Sequence, residues 1–196
     1  MSELIHTIGI HHLCIKHNDI KLIANTLELS DTEELIFDKE HNWSSLYKDA
    51  TEFLIIESNT EWTYVVFNIW EFDLIKLITQ KLSENLKTEV NYFFIDPWVS
   101  TTRWINSENG KINRSHWQED ETIFEDYGSL SLEHELIDKP VSSAIKEIDE
   151  IDIFWDEIAK LYWNLSNTLS PSISSLNEGN TYNAIRGFFN MNQTFN

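Results

Sequence analysis

The stretch VNYFFIDPWVSTTRWINSENGKINRSHW, Val90 to Trp117, decides the fold class. Val90 to Ile95 is a run of β-branched and aromatic residues that stops at Asp96-Pro97, which predicts a strand. Trp98 to Ile105 and Lys111 to Trp117 then flank Asn109-Gly110. Both turn residues tolerate the positive φ of a type I′ turn, so the two runs are expected to fold back on each other as an antiparallel hairpin. Thr122 to Tyr127 adds a further strand before Gly128.

Outward from this meander, Phe53 to Glu57 and Glu61 to Ile69 are joined by Ser58-Asn59-Thr60 and predict a second hairpin. Between the hairpins the period changes. Leu74, Ile75, Ile78, Leu82 and Leu86 form one apolar stripe over Glu71 to Leu86, the spacing of a helix packed on one side. Nearer the start, Asp19 to Leu29 predicts a short helix capped by Asn18 or Asp19. Leu4 to Ile15 reads as one or two strands broken near His11 and His12, and Leu35–Phe37 and Trp43–Tyr47 as short strands. Towards the end, Ile145, Ile148, Ile151, Trp155, Ile158, Tyr162 and Leu165 predict one long helix over Val141 to Leu165, with Pro140 before its start. Residues 166–196 are Ser/Asn-rich and nearly uncharged, a tail whose order the pattern leaves open, with one helical turn expected at Pro171 to Leu176. The expected fold is a single α+β domain over residues 1–196. Its sheet is mixed and mostly antiparallel, helices pack on it, and a long acidic C-terminal helix covers one face.

Composition supports a packed core. Apolar residues make up 41% of 196, with 8 Trp and 11 Phe, while 5 Gly and 3 Pro leave little for linkers. Cys14 is the single cysteine, so no internal disulfide forms. Met1 to Ile10 lacks the basic and apolar regions of a secretory signal, and no apolar run reaches membrane-spanning length. A cytoplasmic location is the expectation.

Charge is the strongest clue to function. Of the formal −19, a net −12 lies between Glu119 and Glu157, where 14 acidic residues face only Lys139 and Lys146. Such a surface repels nucleic acid and anionic lipid and attracts basic proteins or cations. Like charges at helical spacing, Glu147/Glu150 and Asp149/Asp152, each cost a few tenths of a kcal/mol. A basic partner that neutralises them gives that cost a purpose; an ordinary solvated face is the plainer reading.

Catalytic patterns are weak by comparison. His6, His11, His12 and His17 cluster near the start, but no paired cysteines or His-Glu-x-x-His spacing supports zinc, and structural histidines fit better. Cys14, between Leu13 and Ile15, reads as a buried, inert thiol. Glu133/Glu135 and Asp152/Asp156 are carboxylate pairs among other charges, which argues for solvation rather than acid/base work. Phosphate loops and nucleophile elbows are absent, and 14 basic residues spread thinly give no patch for a phosphate backbone. Trp98, Trp104 and Trp117 near the Asn-Gly hairpin are core residues by default, with interface anchors as the other reading.

The segment from Asp96-Pro97-Trp98 to Trp104, with Asn109-Gly110-Lys111-Ile112, Arg114-Ser115, Glu125-Asp126-Tyr127-Gly128 and Glu133, resembles immunity proteins of bacterial polymorphic-toxin systems. These are the partners of contact-dependent or type VI-delivered effectors. The likeness covers about a sixth of the chain, and because such families are diverse in fold it transfers no binding residues. It implies a non-enzymatic inhibitor, without cofactor or metal, that binds a basic toxin domain such as a nuclease. Candidate contacts, taken from the charge pattern, are Glu119, Asp120, Glu125, Asp126, Glu147, Glu150, Asp156 and Glu157. A metal-dependent hydrolase built on the N-terminal histidines and a non-catalytic acidic adaptor are the alternatives.

Overall fold

The computed structural model describes residues 10–38, 51–58, 60–96, 99–120, 122–130, 170, 173, 176 and 179–191. In chain order these contain β1 (His11–Ile15), α1 (Ile20–Thr26), β2 (Ser30–Asp38), β3 (Glu52–Glu57), β4 (Thr63–Phe67) and α2 (Phe72–Leu86). β5 (Glu89–Asp96), β6 (Thr101–Glu108), β7 (Lys111–Glu119), β8 (Thr122–Gly128) and β9 (Thr181–Phe188) follow. The nine strands form one sheet in the order β2-β9-β3-β4-β1-β5-β6-β7-β8, and every neighbouring pair is antiparallel. The expected α+β class holds, with an antiparallel rather than mixed sheet among the described residues.

Local sequence explains most elements. Asn109 (φ 51) and Gly110 (φ 84) both take the left-handed backbone that closes the β6–β7 hairpin. Asp19 caps α1, its Oδ1 accepting the Leu22 amide at 2.9 Å. α2 buries Phe72, Ile75, Ile78 and Leu82 against the sheet and stops at Lys87, which adopts φ 52 while the Thr88 amide donates to Ser83 O. On that face α1 and α2 enclose Leu13, Ile15, Phe53, Ile55, Val65, Phe67, Tyr92 and Phe94. The opposite face is also apolar, and there Cys14, Leu54, Ile56, Tyr64, Val66, Phe93 and Trp104 pack with Ile173 and Leu176. A sheet buried on both faces needs apolar residues in unbroken runs, as in Phe53-Leu54-Ile55-Ile56.

Three expectations meet the described residues. Of the strand or strands expected over Leu4 to Ile15, β1 covers His11–Ile15, with both histidines paired and buried on opposite faces, and residues 4–9 lie outside the described residues. Within the Ser/Asn-rich tail, Thr181–Phe188 is a strand inserted between β2 and β3, which meets the open question of order there. At Pro171 to Leu176, the described part of the expected helical turn is a single bond from the Leu176 amide to Ile173 O. The expected helix over Val141 to Leu165, the Trp43–Tyr47 strand, His6 and Trp98 lie outside the described residues. Among the described residues no helix is long and apolar enough to cross a membrane.

Candidate functional site

The first acidic candidates lie at the β7–β8 end of the sheet, where β8 is an edge strand. β7 places Arg114, His116 and Gln118 on the face opposite the helices, in register with Asn106, Trp104 and Thr102 of β6. The intervening Ser115 and Trp117 point towards α2. Because side chains alternate along a strand, neighbouring acids on β8 are sent to different surroundings.

Glu125 turns towards α2 and binds Lys76 through both oxygens, at 2.8 and 2.6 Å. Partial burial works against its ionisation, but the hydrogen bonds and charge of Lys76 help to outweigh it and the pKa falls. Asp126 faces the other way. His116 and Arg114 together hold its carboxyl well below the usual carboxylate range, against the opposing effect of partial burial. The Arg114 contact is 2.6 Å; His116 Nδ1 stands 3.5 Å away, long for a hydrogen bond. Trp104 stacks on His116 at 4.0 Å between ring centres.

Glu119 ends β7 and accepts from Arg103 Nη2 at 2.8 Å and from the Trp117 indole at 3.0 Å. Arg103 is itself buried and donates to the Trp70 carbonyl at 2.7 Å. Its guanidinium lies 4.8 Å from the Trp117 ring centre and within 5.9 Å of Trp70, Phe72 and Phe94. Beneath it, His11 shares a 2.8 Å hydrogen bond with the Tyr92 hydroxyl and stacks on Phe94. Burial, then Arg103, then His12 lower the His11 pKa to about 3, so this imidazole is neutral. Burial raises the Tyr92 pKa against the pull of Arg103.

Asp120 alone of the four described candidates projects as an exposed residue of the β7–β8 turn with no ion pair among the described residues. Its backbone is fixed. The amide donates to Ser100 O at 2.8 Å, the carbonyl accepts from Gln118 Nε2 at 2.7 Å, and φ is 47. Glu147, Glu150, Asp156 and Glu157 lie outside the described residues. Of the acids brought together here, Glu119, Glu125 and Asp126 are therefore neutralised from within, by cations that the charge run alone did not reveal.

The histidines and the thiol offer little chemistry. His11 and His12 project from opposite faces of β1, and His17 lies beyond its end, accepting the Asp19 amide at Nδ1. Among the described residues no group of three or more His, Cys, Asp or Glu converges on a point where a metal would sit. Cys14 is buried, and burial pushes its thiol up to about 12, against a hydrogen bond with Ser170.

Exposed aromatics complete the site, and the sequence did not single them out. Trp70 is 47% exposed and Phe124 54%, and Phe124 stacks on Trp117 at 4.6 Å. Trp104, by contrast, is core. The one signal available for Trp70 was its position after the apolar strand and directly before Glu71, outside either hydrophobic period. Comparison of the chain with protein-family models, with curated proteins and with solved structures finds no match.

Proposed function

We propose that the protein is an immunity-type inhibitor that binds and neutralises a cognate basic toxin domain in the cytoplasm, a nuclease being the activity that an acidic surface best mimics a substrate for. One observation carries the reading: a net −12 within Glu119 to Glu157, on a chain that is otherwise rich in core residues. The geometry supports it in one respect. The charged segment starts on a sheet edge whose turn is pinned by hydrogen bonds, so Asp120 is presented on a rigid frame. Rigid, like-signed carboxylates steer a cationic partner and cost little ordering entropy on binding. The long acidic helix over Val141 to Leu165, with Glu147, Glu150, Asp156 and Glu157, supplies the rest of the contact surface in this proposal.

The test is to express the protein in cells beside basic toxin domains, nucleases first. Protection of the cell and a direct complex are the expected outcomes. Reversing Asp120, Glu147, Glu150 and Glu157 to Lys together lowers the association rate by at least tenfold at low salt, about the scale of electrostatic steering, and flattens its salt dependence. An unchanged rate, or substrate turnover by the isolated protein, would end the proposal.

A further inference from the structure

The nominated carboxylates on β7 and β8 are mostly consumed by internal cations, whereas the aromatics beside them are not covered. Trp70, Arg103, Trp117 and Phe124 form a continuous stack: Arg103 lies over both tryptophans, and Trp117 carries Phe124 on its ring. The two ends of the stack are about half exposed, and Val99, in the turn before β6, is equally so at 50%. Exposed carboxylates adjoin it along the chain: Glu71 directly follows Trp70, Asp73 lies two residues further on with Lys76 3.9 Å away, and Asp120 follows Glu119, which is bonded to both Arg103 and the Trp117 indole. The cations at this place are already paired, Lys76 with Glu125 and the buried Arg103 with Glu119.

We propose that this aromatic stack is the docking centre for a lysine or arginine side chain on a basic segment of a partner protein. The inference rests on the inhibitor reading above and narrows it, moving the energetic centre from the acidic side chains to Trp70 and Phe124. Charge complementarity selects the occupant. A cation over an aromatic ring, with carboxylates at the margin, gains from the ring quadrupole and from the acids together. Aromatic anchors inside a polar rim are also where binding energy concentrates in protein interfaces. Single-stranded nucleic acid uses aromatic platforms too, but it requires a basic groove, and this rim is acidic. A second copy of the chain would bring the same acids and another −19 against them.

The backbone beneath the patch is held in advance. Ser100 and Asp120 both adopt positive φ, 50 and 47, and a 2.8 Å bond from the Asp120 amide to Ser100 O joins the two turns. Left-handed non-glycine residues carry a conformational cost and concentrate at functional sites. Here they fix the spacing between the Val99 turn and the β7–β8 turn.

Two measurements on the full chain decide it. In the first, a blocked hexapeptide of alternating Arg and Gly is titrated to millimolar concentration, with a Glu-Gly peptide as control. Indole and backbone amide NMR signals are followed, and the Trp70 indole is assigned through Trp70→Phe. The Arg peptide is expected to shift Trp70, Trp117 and the Phe124 amide, and the Glu peptide to shift none of them. Shifts confined to other positions, no shift at all, or self-association of the chain through this face overturns the proposal. In the second, affinity for the basic toxin domain is compared across Trp70→Leu, Phe124→Ser and Ile36→Ser, each first checked for an unchanged melting profile. Trp70 also touches His11 and Phe94, so Phe124→Ser carries the test if Trp70→Leu does not fold. The two patch variants should bind roughly 30-fold more weakly, the scale of an interface hot spot, and Ile36→Ser, on the opposite sheet edge, should not. Full binding by both patch variants, with loss only on acidic charge reversal, sinks the aromatic centre and leaves the inhibitor reading intact. If wild-type protein ignores the toxin domain but the Arg peptide still selects Trp70, the inhibitor reading falls and the cation site stands.

Discussion

The β3–β4 and β6–β7 hairpins belong to one antiparallel sheet, yet they bury different chemistry. Between Phe53 and Phe67 the buried strand residues are apolar on both faces, apart from Thr63, which donates to His17 O. Strands β6 and β7 bury Thr101, Thr102, Arg103, Asn106, Ser107, Arg114, Ser115, His116 and Gln118. Apolar burial is non-directional, so a one-residue slip in β3–β4 would exchange one apolar contact for another. The same slip in β6–β7 would pull Arg103 from Glu119, and a slip in the neighbouring β7–β8 pair would pull Arg114 from Asp126 and the Tyr127 carbonyl. One hairpin supplies stability and the other supplies register. The functional proposals fall on the second because its buried cations bond carboxylates that reach the surface, Glu119 and Asp126.

The largest expected effect sets the two hairpins directly against each other. Ile55→Ala opens a cavity at a fully buried position and should cost about 2–5 kcal/mol in a urea titration. Arg103→Met, close in volume, should cost roughly 3 kcal/mol, because Glu119 loses its cation, while adding Glu119→Gln to it should recover most of that loss. If the double variant is as damaging as Arg103→Met alone, the ion pair matters for more than partner satisfaction. Amide exchange on β7 and β8 should then report lost register.

Acid separates the histidines from the carboxylates. The folded-state pKa values of His11 and His12, about 3 and about 4, lie below their ordinary 6.5, burial being the main cause in both. The unfolded chain therefore takes up protons that the folded chain refuses. The stability this gives is whole above pH 6.5 and is lost as pH falls towards 4. By pH 5 the loss should be on the order of 2 kcal/mol per histidine, and His12→Phe should remove its share. The lowered pKa values of Asp126 and Glu125 act in the next window down, their contribution fading only as pH drops through about 4 and below. A stability curve flat from pH 7 to pH 5 would refute the buried neutral histidines.

Gly128→Ala tests the β8 edge. Gly128 has φ 70, and a Cβ there would stand 2.0 Å from Asn113 O, so the chain must move. The left-handed backbone alone costs about 1–3 kcal/mol, and protection should be lost across β8 while β3 and β4 stay unchanged. The smallest effect belongs to Lys76→Met. Its partner Glu125 is partly solvated, so about 1 kcal/mol or less is expected in thermal unfolding.

Much of the fold was legible because local rules and tertiary context agree. The Asn109-Gly110 turn, the Asp19 cap and the stripe through Ile75, Ile78 and Leu82 each need only neighbouring residues to be read. β9 was not legible, since Thr181–Phe188 sits among Ser and Asn and gains its place only by pairing with β2 and β3, well over a hundred residues earlier. The reading of a break near His11 and His12 did not foresee that β1 pairs through both histidines. In the structure, adjacent strand positions face opposite cores and each side chain is buried separately. The candidate site was half visible: its acids stand out in the charge count, but Lys76, Arg103 and Trp70 do not.

By itself the sequence determined the charge balance, the two hairpins and the two helices of the described residues. Those are properties of composition and of residues close together in the chain. Only the tertiary structure decided which carboxylates are already neutralised and where exposed aromatics meet, because β6, β7, β8 and the start of α2 come together by pairing and packing. Charge is additive along a chain, whereas pairing depends on distances that folding alone sets.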